Sequence, residues 1–269
     1  MHPRVCLHQV CFLSESTPAF IEFCRQIGVR HMTLANPHML GPHVLAETQA
    51  ALAPGGTAAT NLTQPFARYP DIERDEGGAA QALNLAIDAA AALDTPHIYI
   101  VTGARGSLDW EDAAQRLAEL LAPCRAYAAQ HSVALSIETA NLLNADIHFA
   151  HTLDDTIRAA EIAEVGITID LGACWFEGGL KEKFARAVPR TALVQVSDYV
   201  LGDRSTPCRA VPGDGVVPLD RRIGELLDLG YAGVFDIELT GPRIDAEGHR
   251  KAFGRAAENL SELLTRLGA

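Results

Sequence analysis

Basic charge is scarce in this 269-residue chain. Lys and Arg total 22 against 34 Asp and Glu, giving a formal net charge of −12. A protein that tracks the phosphates of DNA or RNA needs a basic stripe, so nucleic acid is not an expected partner. Long apolar runs are also missing. Nothing approaches the ~20 residues of a membrane span, and the most apolar helical stretch, around Ala79–Leu93, is broken by Asp88. Met1-His2-Pro3-Arg4 leads straight into strand-like sequence without a signal-peptide core, so the expected location is cytoplasmic. The six cysteines (Cys6, Cys11, Cys24, Cys124, Cys174 and Cys208) form no C-x-x-C pair, and a chain of this length needs no disulfide staples. Glycine is absent between His8 and Ser16, which removes the phosphate loop that a dinucleotide-binding open sheet needs after its first strand.

What the chain does have is alternation. Short apolar or β-branched runs occur at Val5–Val10, His31–Ala35, Thr57–Leu62, His97–Thr102, Val133–Glu138, Gly166–Asp170, Ala192–Ser197 and Gly233–Leu239. Segments with apolar residues at i, i+3, i+4 and i+7 lie between them, at Thr17–Ile27, Glu76–Leu93, Trp110–Gln130, Thr152–Ala163 and Leu219–Leu229, and Ala246–Leu267 closes the chain. Ser16 and Thr152 read as helix N-caps; Gly28, Gly166 and Gly230 read as C-caps. Eight strands alternating with helices, and no Pro/Gly/Ser linker, predict one (β/α)8 TIM barrel over residues 1–269. A doubly wound open sheet is the alternative architecture.

Such barrels carry their chemistry at the C-terminal ends of the strands. Those ends are Glu138, Asp170, Gln195 and Glu238, on strands five to eight. Four oxygen donors converging at one mouth suit a hard or borderline divalent ion, which offsets the cost of carboxylates on apolar strands. One such residue alone reads as a helix cap or ion-pair partner. Further candidates are Arg209 for a substrate anion or hydroxyl, and Asn61, Gln64 and Asn141 for hydroxyls. His8 would face the mouth from strand one, and Trp110 and Trp175 would wall the pocket. His97, beginning strand four, belongs at the opposite face; His148 and His151 lie in the loop after strand five.

Ser-Ile-Glu-Thr-Ala-Asn (136–141), Ile-Asp-Leu-Gly (169–172), Gln-Val-Ser-Asp (195–198), Arg-Ala-Val-Pro-Gly-Asp-Gly (209–215) and Gly-Tyr-Ala-Gly-Val-Phe-Asp-Ile-Glu (230–238) resemble the xylose isomerase-like TIM barrels. That superfamily includes sugar-phosphate isomerases and epimerases, ketose 3-epimerases, inosose dehydratases, 3-dehydroshikimate dehydratases and endonuclease IV. The resemblance implies one divalent metal ion, Mn first and Mg, Co or Zn as alternatives, held by Glu138, Asp170, Gln195 and Glu238. It implies Glu138 and Glu238 as the acid/base pair, a small-molecule substrate, and a homodimer or homotetramer. Two positions depart from the pattern. Gln195 replaces the usual histidine ligand, as in some dehydroshikimate dehydratases, and Ala173 replaces the histidine of Asp-x-Gly-His that contacts substrate oxygens.

The activity implied is isomerisation or epimerisation of a sugar or other polyhydroxylated carbonyl compound through α-proton abstraction and a metal-stabilised enediolate. A metal-dependent dehydratase of the 3-dehydroshikimate type is the alternative, supported by Gln195 and weakened by Ala173. A non-catalytic barrel with a degenerate site is the second alternative. Endonuclease IV is disfavoured by the two missing histidines and the charge.

Overall fold

The computed structural model describes residues 1–269. Strands β1 (Val5–His8), β2 (His31–Ala35), β3 (Ala58–Pro65), β4 (His97–Val101), β5 (Ala134–Glu138), β6 (Gly166–Asp170), β7 (Thr191–Val196) and β8 (Phe235–Ile237) close in sequence order into a parallel barrel. The open-sheet alternative is thereby excluded. The connecting helices are α1 (Thr17–Gln26), α2 (Pro37–Leu40), α3 (Val44–Leu52), α4 (Gly78–Ala92), α5 (Trp110–Gln130) and α6 (Leu153–Ala163). They continue as α7 (Leu171–Cys174), α8 (Leu180–Ala187), α9 (Leu219–Asp228), α10 (Pro242–Glu247) and α11 (His249–Leu267).

Helical periodicity explains how the outer layer seats. Along α5 the residues Ala113, Leu117, Leu121 and Cys124 are buried, one per turn, and α11 buries Ala252, Phe253, Ala256, Leu260 and Leu264 on a single stripe. Those stripes face the sheet, and the apolar area removed from water there holds the barrel together. No helix is long and apolar enough to cross a membrane. The six cysteines are unpaired.

Three local expectations are corrected. Glu164, in the left-handed region at φ +54°, caps α6 instead of Gly166. Gly166 begins β6, where a Cβ would stand 3.1 Å from the Arg190 carbonyl oxygen and 3.3 Å from that of Leu135, so close strand packing demands the glycine. The closing helix is two, α10 and α11, separated at Gly248. Strand β3 continues three residues beyond Leu62, to Pro65, and its register against β2 shifts between Met32 and Thr33. That sets Asn61 opposite Thr33 within the strand and below its C-terminal end, rather than at the mouth where a hydroxyl contact would stand.

The barrel interior is polar rather than filled only with aliphatics. Thr33 donates to Asp236 Oδ2 (2.7 Å), and Asn61 Nδ2 donates to Thr33 Oγ1 (3.2 Å). His97 Nδ1 donates to Asn61 Oδ1 (2.7 Å), leaving Nε2 to accept from Ser136 (2.8 Å), which meets Thr168 at 2.7 Å. His97 is neutral because burial pulls its pKa down to about 4. The outcome is a one-way belt of hydrogen bonds across β6, β5, β4, β3, β2 and β8, ending on the single carboxylate of Asp236.

Candidate active site

Above this belt lies a second polar layer. His8 Nδ1 accepts from the Val10 amide (2.9 Å), which leaves the proton on Nε2, and Nε2 donates to the Tyr99 hydroxyl at 2.5 Å. Gln195 Nε2 also donates to that hydroxyl (3.3 Å) and to Glu238 Oε2. Burial keeps His8 uncharged, with its pKa pulled down to about 4. His8, Tyr99 and Gln195 are all buried and form the support on which Glu238 rests.

Over this support a cavity of about 550 Å³ opens at the C-terminal ends of the strands. Glu138 is the last residue of β5, Asp170 the last of β6, and Glu238 follows β8 with its amide bonded to the Val196 carbonyl (3.2 Å). All three carboxylates line the cavity, with Ser197 and Arg209 beside them. The Arg209 guanidinium grips Asp170 with two bonds (3.0 and 2.6 Å), donates to Ser197 Oγ (3.1 Å) and stands 3.6 Å from Glu238 Oε1.

The Gln-Val-Ser-Asp and Arg-Ala-Val-Pro-Gly-Asp-Gly motifs explain how Arg209 arrives there. Asp198 pairs with Ala210 in an antiparallel bridge. Its carboxylate accepts the amides of Tyr199 (2.8 Å), Gly213, Gly215 and Val217 (2.9 Å each). Four charge-assisted bonds to one carboxylate clamp the loop against the end of β7. A Cβ at Gly215 would lie 2.2 Å from the Tyr199 carbonyl oxygen, so only glycine lets the loop close this tightly.

Charge decides the electrostatics. Burial pushes the Glu138 pKa well up, and the neighbouring Glu238 and Asp170 push it further. Glu238 is also raised, by burial first, although Arg209 opposes the shift. The Arg209 guanidinium is held firmly charged by Asp170 and Glu238 against the opposing pull of burial. Three carboxylates share one guanidinium, so the cluster is short of positive charge.

A divalent ion would supply that charge. As arranged, no three His, Cys, Asp or Glu side chains form a ready-made ion site, and Arg209 occupies both Asp170 oxygens. The donor chemistry still fits. Gln195 has a buried amide oxygen, Oε1, with no hydrogen-bond partner, beside Glu238. A cation would satisfy that oxygen together with the carboxylates, once Arg209 releases an oxygen of Asp170.

Glu138, Asp170, Glu238 and Arg209 therefore meet in one cavity, with Gln195 directly beneath. Asn61 and Trp110 do not. Asn61 is committed to the belt, its amide spent on Thr33 and His97. Trp110, the first residue of α5, packs edge-on to Phe149 at 6.0 Å with the Arg158 guanidinium 4.3 Å over its ring. His8 acts through Tyr99 and is absent from the cavity lining. Trp175 and Asn141 line the cavity; Gln64 instead bonds to Asn36 at 2.6 Å. His148 is buried, its Nδ1 bonded to Thr102 (2.8 Å). Tyr99 and Ser197 were missed. Tyr99 was findable as the hydroxyl in the apolar His-Ile-Tyr-Ile-Val strand, two residues from His97 and so on the same face.

Fold and site together define an α/β barrel with an acidic, oxygen-rich centre at the C-terminal ends of its strands. The model of the xylose isomerase-like TIM barrel family matches residues 21–263, and the chain belongs to that family. Protein SMc04130 of Sinorhizobium meliloti 1021 superposes with a TM-score of 0.83 at 20% identity, covering 97% of this chain and 98% of that one. The IolI protein, solved with a bound zinc atom, gives 0.84 at 16% identity, covering 98% and 99%. D-psicose 3-epimerase, solved in the presence of D-fructose, gives 0.77 at 16%, covering 99% and 100%. At these identities the likeness is one of fold. No curated protein matches the sequence significantly.

Proposed function

We propose that the chain is a divalent-metal-dependent isomerase or epimerase that moves the α-proton of an α-hydroxy carbonyl compound. The observation that carries this reading is the meeting of Glu138, Asp170 and Glu238 in one cavity over the unpartnered amide oxygen of Gln195. Glu138, Asp170, Gln195 and Glu238 would hold the ion, and it would supply the positive charge that stabilises an enolate. Mn²⁺ is the first choice for an all-oxygen set, with Mg²⁺, Co²⁺ and Zn²⁺ as alternatives.

The protein's own groups do the rest. Glu138 and Glu238 stand three strands apart around the ring, so they address a bound substrate from different sides. Both carboxylates stand in the cavity where the substrate's carbon would lie, within reach of a carbon-bound proton. For epimerisation one glutamate, as carboxylate, takes the proton and the other, as carboxylic acid, delivers its own proton to the opposite face. For isomerisation the first returns the proton it took to the neighbouring carbon, with a proton shifting between the two oxygens. Arg209, bonded to Asp170 and Ser197, is placed to orient a substrate hydroxyl or carboxylate. Ala173 leaves that wall without a further acid to protonate a departing hydroxyl, which favours proton return over elimination.

Elemental analysis followed by exchange in D₂O tests the reading. About one divalent ion per chain, lost in Glu238→Ala, and deuterium gained at the α-carbon of α-hydroxy carbonyl substrates are expected. Glu138→Gln should fold, bind substrate and abolish the exchange. Undiminished exchange in that variant removes Glu138 from the acid/base pair, and failure to bind any added ion removes the metal reading.

A further inference from the structure

The cavity has two chemically different halves. At the floor stand the three carboxylates, Arg209 and Ser197; the wall rising from them is apolar. Val10 comes from the loop after β1, Leu143 and Ile147 from the loop after β5, and Ala173, Trp175 and Phe176 from the segment after β6. Leu143 and Phe176 are 61% and 62% exposed, so the free protein shows large apolar side chains to water at the mouth. The polar groups on this wall are few and partly engaged, the side-chain amides of Asn141 and Asn144 keeping their N–H donors free. Asn141 Oδ1 accepts from the Leu143 amide (2.9 Å), Thr206 donates to Asn144 Oδ1 (3.3 Å), and Arg243 holds Asp203 (2.6 Å). Arg204 and Ser205 lie at the exposed rim.

A ligand bearing a hydroxyl on every carbon would surrender hydrogen bonds to water against Val10, Leu143, Ile147, Ala173 and Phe176, and the Asn141 and Asn144 amides could replace only some of them. An aryl or branched alkyl group would be desolvated with gain and would cover Leu143 and Phe176. Ala173, 2% exposed and on the cavity lining, adds a methyl group and no polar atom to this wall. We propose that the site takes an amphiphilic substrate: an α-hydroxy carbonyl head at Glu138, Asp170 and Glu238, and an aryl or alkyl body against Ile147, Trp175 and Phe176. This narrows the reading above and rests on it, since the head group is placed by the carboxylate centre.

Hydroxamates present a planar pair of oxygens like that of an enediolate, so they serve as probes of both halves. Binding of acetohydroxamate, benzohydroxamate and the four-carbon, fully hydroxylated erythronohydroxamate to the Mn²⁺-loaded protein is measured by calorimetry. Benzohydroxamate is expected to bind about tenfold or more tighter than acetohydroxamate, and erythronohydroxamate no tighter than acetohydroxamate. Phe176→Ser should weaken benzohydroxamate and leave acetohydroxamate unchanged, and Ala173→His should shift preference toward erythronohydroxamate.

The proposal is overturned if benzohydroxamate gains nothing over acetohydroxamate, or if erythronohydroxamate binds tightest. It is also overturned if Phe176→Ser alters self-association in light scattering without touching benzohydroxamate affinity, which would assign the mouth to a second copy of the chain. Absence of Mn²⁺-dependent acetohydroxamate binding is a different failure. It sinks the metal reading itself, and this proposal with it.

Discussion

Arg209 is the residue on which the charge balance turns. Its side chain is 18% exposed, and its partner Asp170 is 1% exposed. Removing one partner of such a pair strands the other, at a cost of about 3 kcal/mol. Arg209→Leu should therefore destabilise the metal-free protein by roughly that amount in urea melts. Because the variant leaves Asp170 free, it should bind Mn²⁺ more tightly, so at one free Mn²⁺ concentration it gains more stability than the wild type, about 2.7 kcal/mol where that concentration is 100 times the variant's Kd. A larger Mn²⁺ gain in the wild type would show that the guanidinium and the ion do not compete. Gln195 shows what a residue alone reveals. Its place near the end of an apolar strand marks it as a candidate ligand, but its bond to Glu238 and its unpartnered oxygen come from packing.

The loop from Tyr199 to Val217 and the inner belt are units, and each has a weak point. Asp198→Asn keeps the shape but replaces one acceptor oxygen with an amide that faces backbone N–H groups. Two of four bonds are lost, at about 2–4 kcal/mol. Limited proteolysis should then cut between residues 199 and 217 while the barrel stays folded, and resistance equal to the wild type would show that Asp198 is not the clamp. In the belt, Asn61→Leu orphans His97 Nδ1 and one side of Thr33, both buried. A loss of about 2–4 kcal/mol is expected in denaturant melts, with metal content unchanged. Altered metal or substrate binding without a stability loss would return Asn61 to the site. The helical connections after β2 and β6 (α2, α3, α7 and α8) gave no strong periodic signal because they are short or weakly amphipathic, whereas α5 and α11 are long enough to show their stripes.

At the scale of the molecule, buried histidines set the response to acid. Burial pulls His8 and His97 down to about 4 and His148 to about 3, whereas in the unfolded chain each titrates near 6.5. Between pH 6.5 and about 4 the unfolded state binds more protons than the folded state, so stability falls as pH falls. Three such groups give a slope of up to about 4 kcal/mol per pH unit in the middle of that window. The raised carboxyls Glu138 and Glu238 act in the opposite sense above about 4.5, and a bound cation cancels their contribution. Acid lability should therefore be steeper in Mn²⁺-loaded protein than in metal-free protein. Urea melts at pH 7, 6 and 5 would measure it, and a flat profile would mean that these histidines are charged in the fold.

The sequence by itself determined the periodicities, and with them an alternating α/β fold for which the barrel was the first choice. Eight strand runs match the number that closes such a barrel, and the missing glycine loop after the first strand disfavours the open sheet, while closure itself is seen only in the strand pairing of β1 with β8. It also determined that Glu138, Asp170, Gln195 and Glu238 stand at strand ends, because position along a parallel strand maps directly onto height in a barrel. It did not determine which way each side chain's hydrogen bonds run. Asn61 reads as a site residue and serves the belt, since a shift of register between β2 and β3 moves it inward. Trp110 reads as a wall and packs outside, since the first residue of a helix lies at the rim rather than over the mouth. The contacts of Arg209 with Asp170 and Glu238, and the apolar wall facing them, join loops from distant parts of the chain. Only the tertiary fold brings those loops together, and no local pattern records the distance between them.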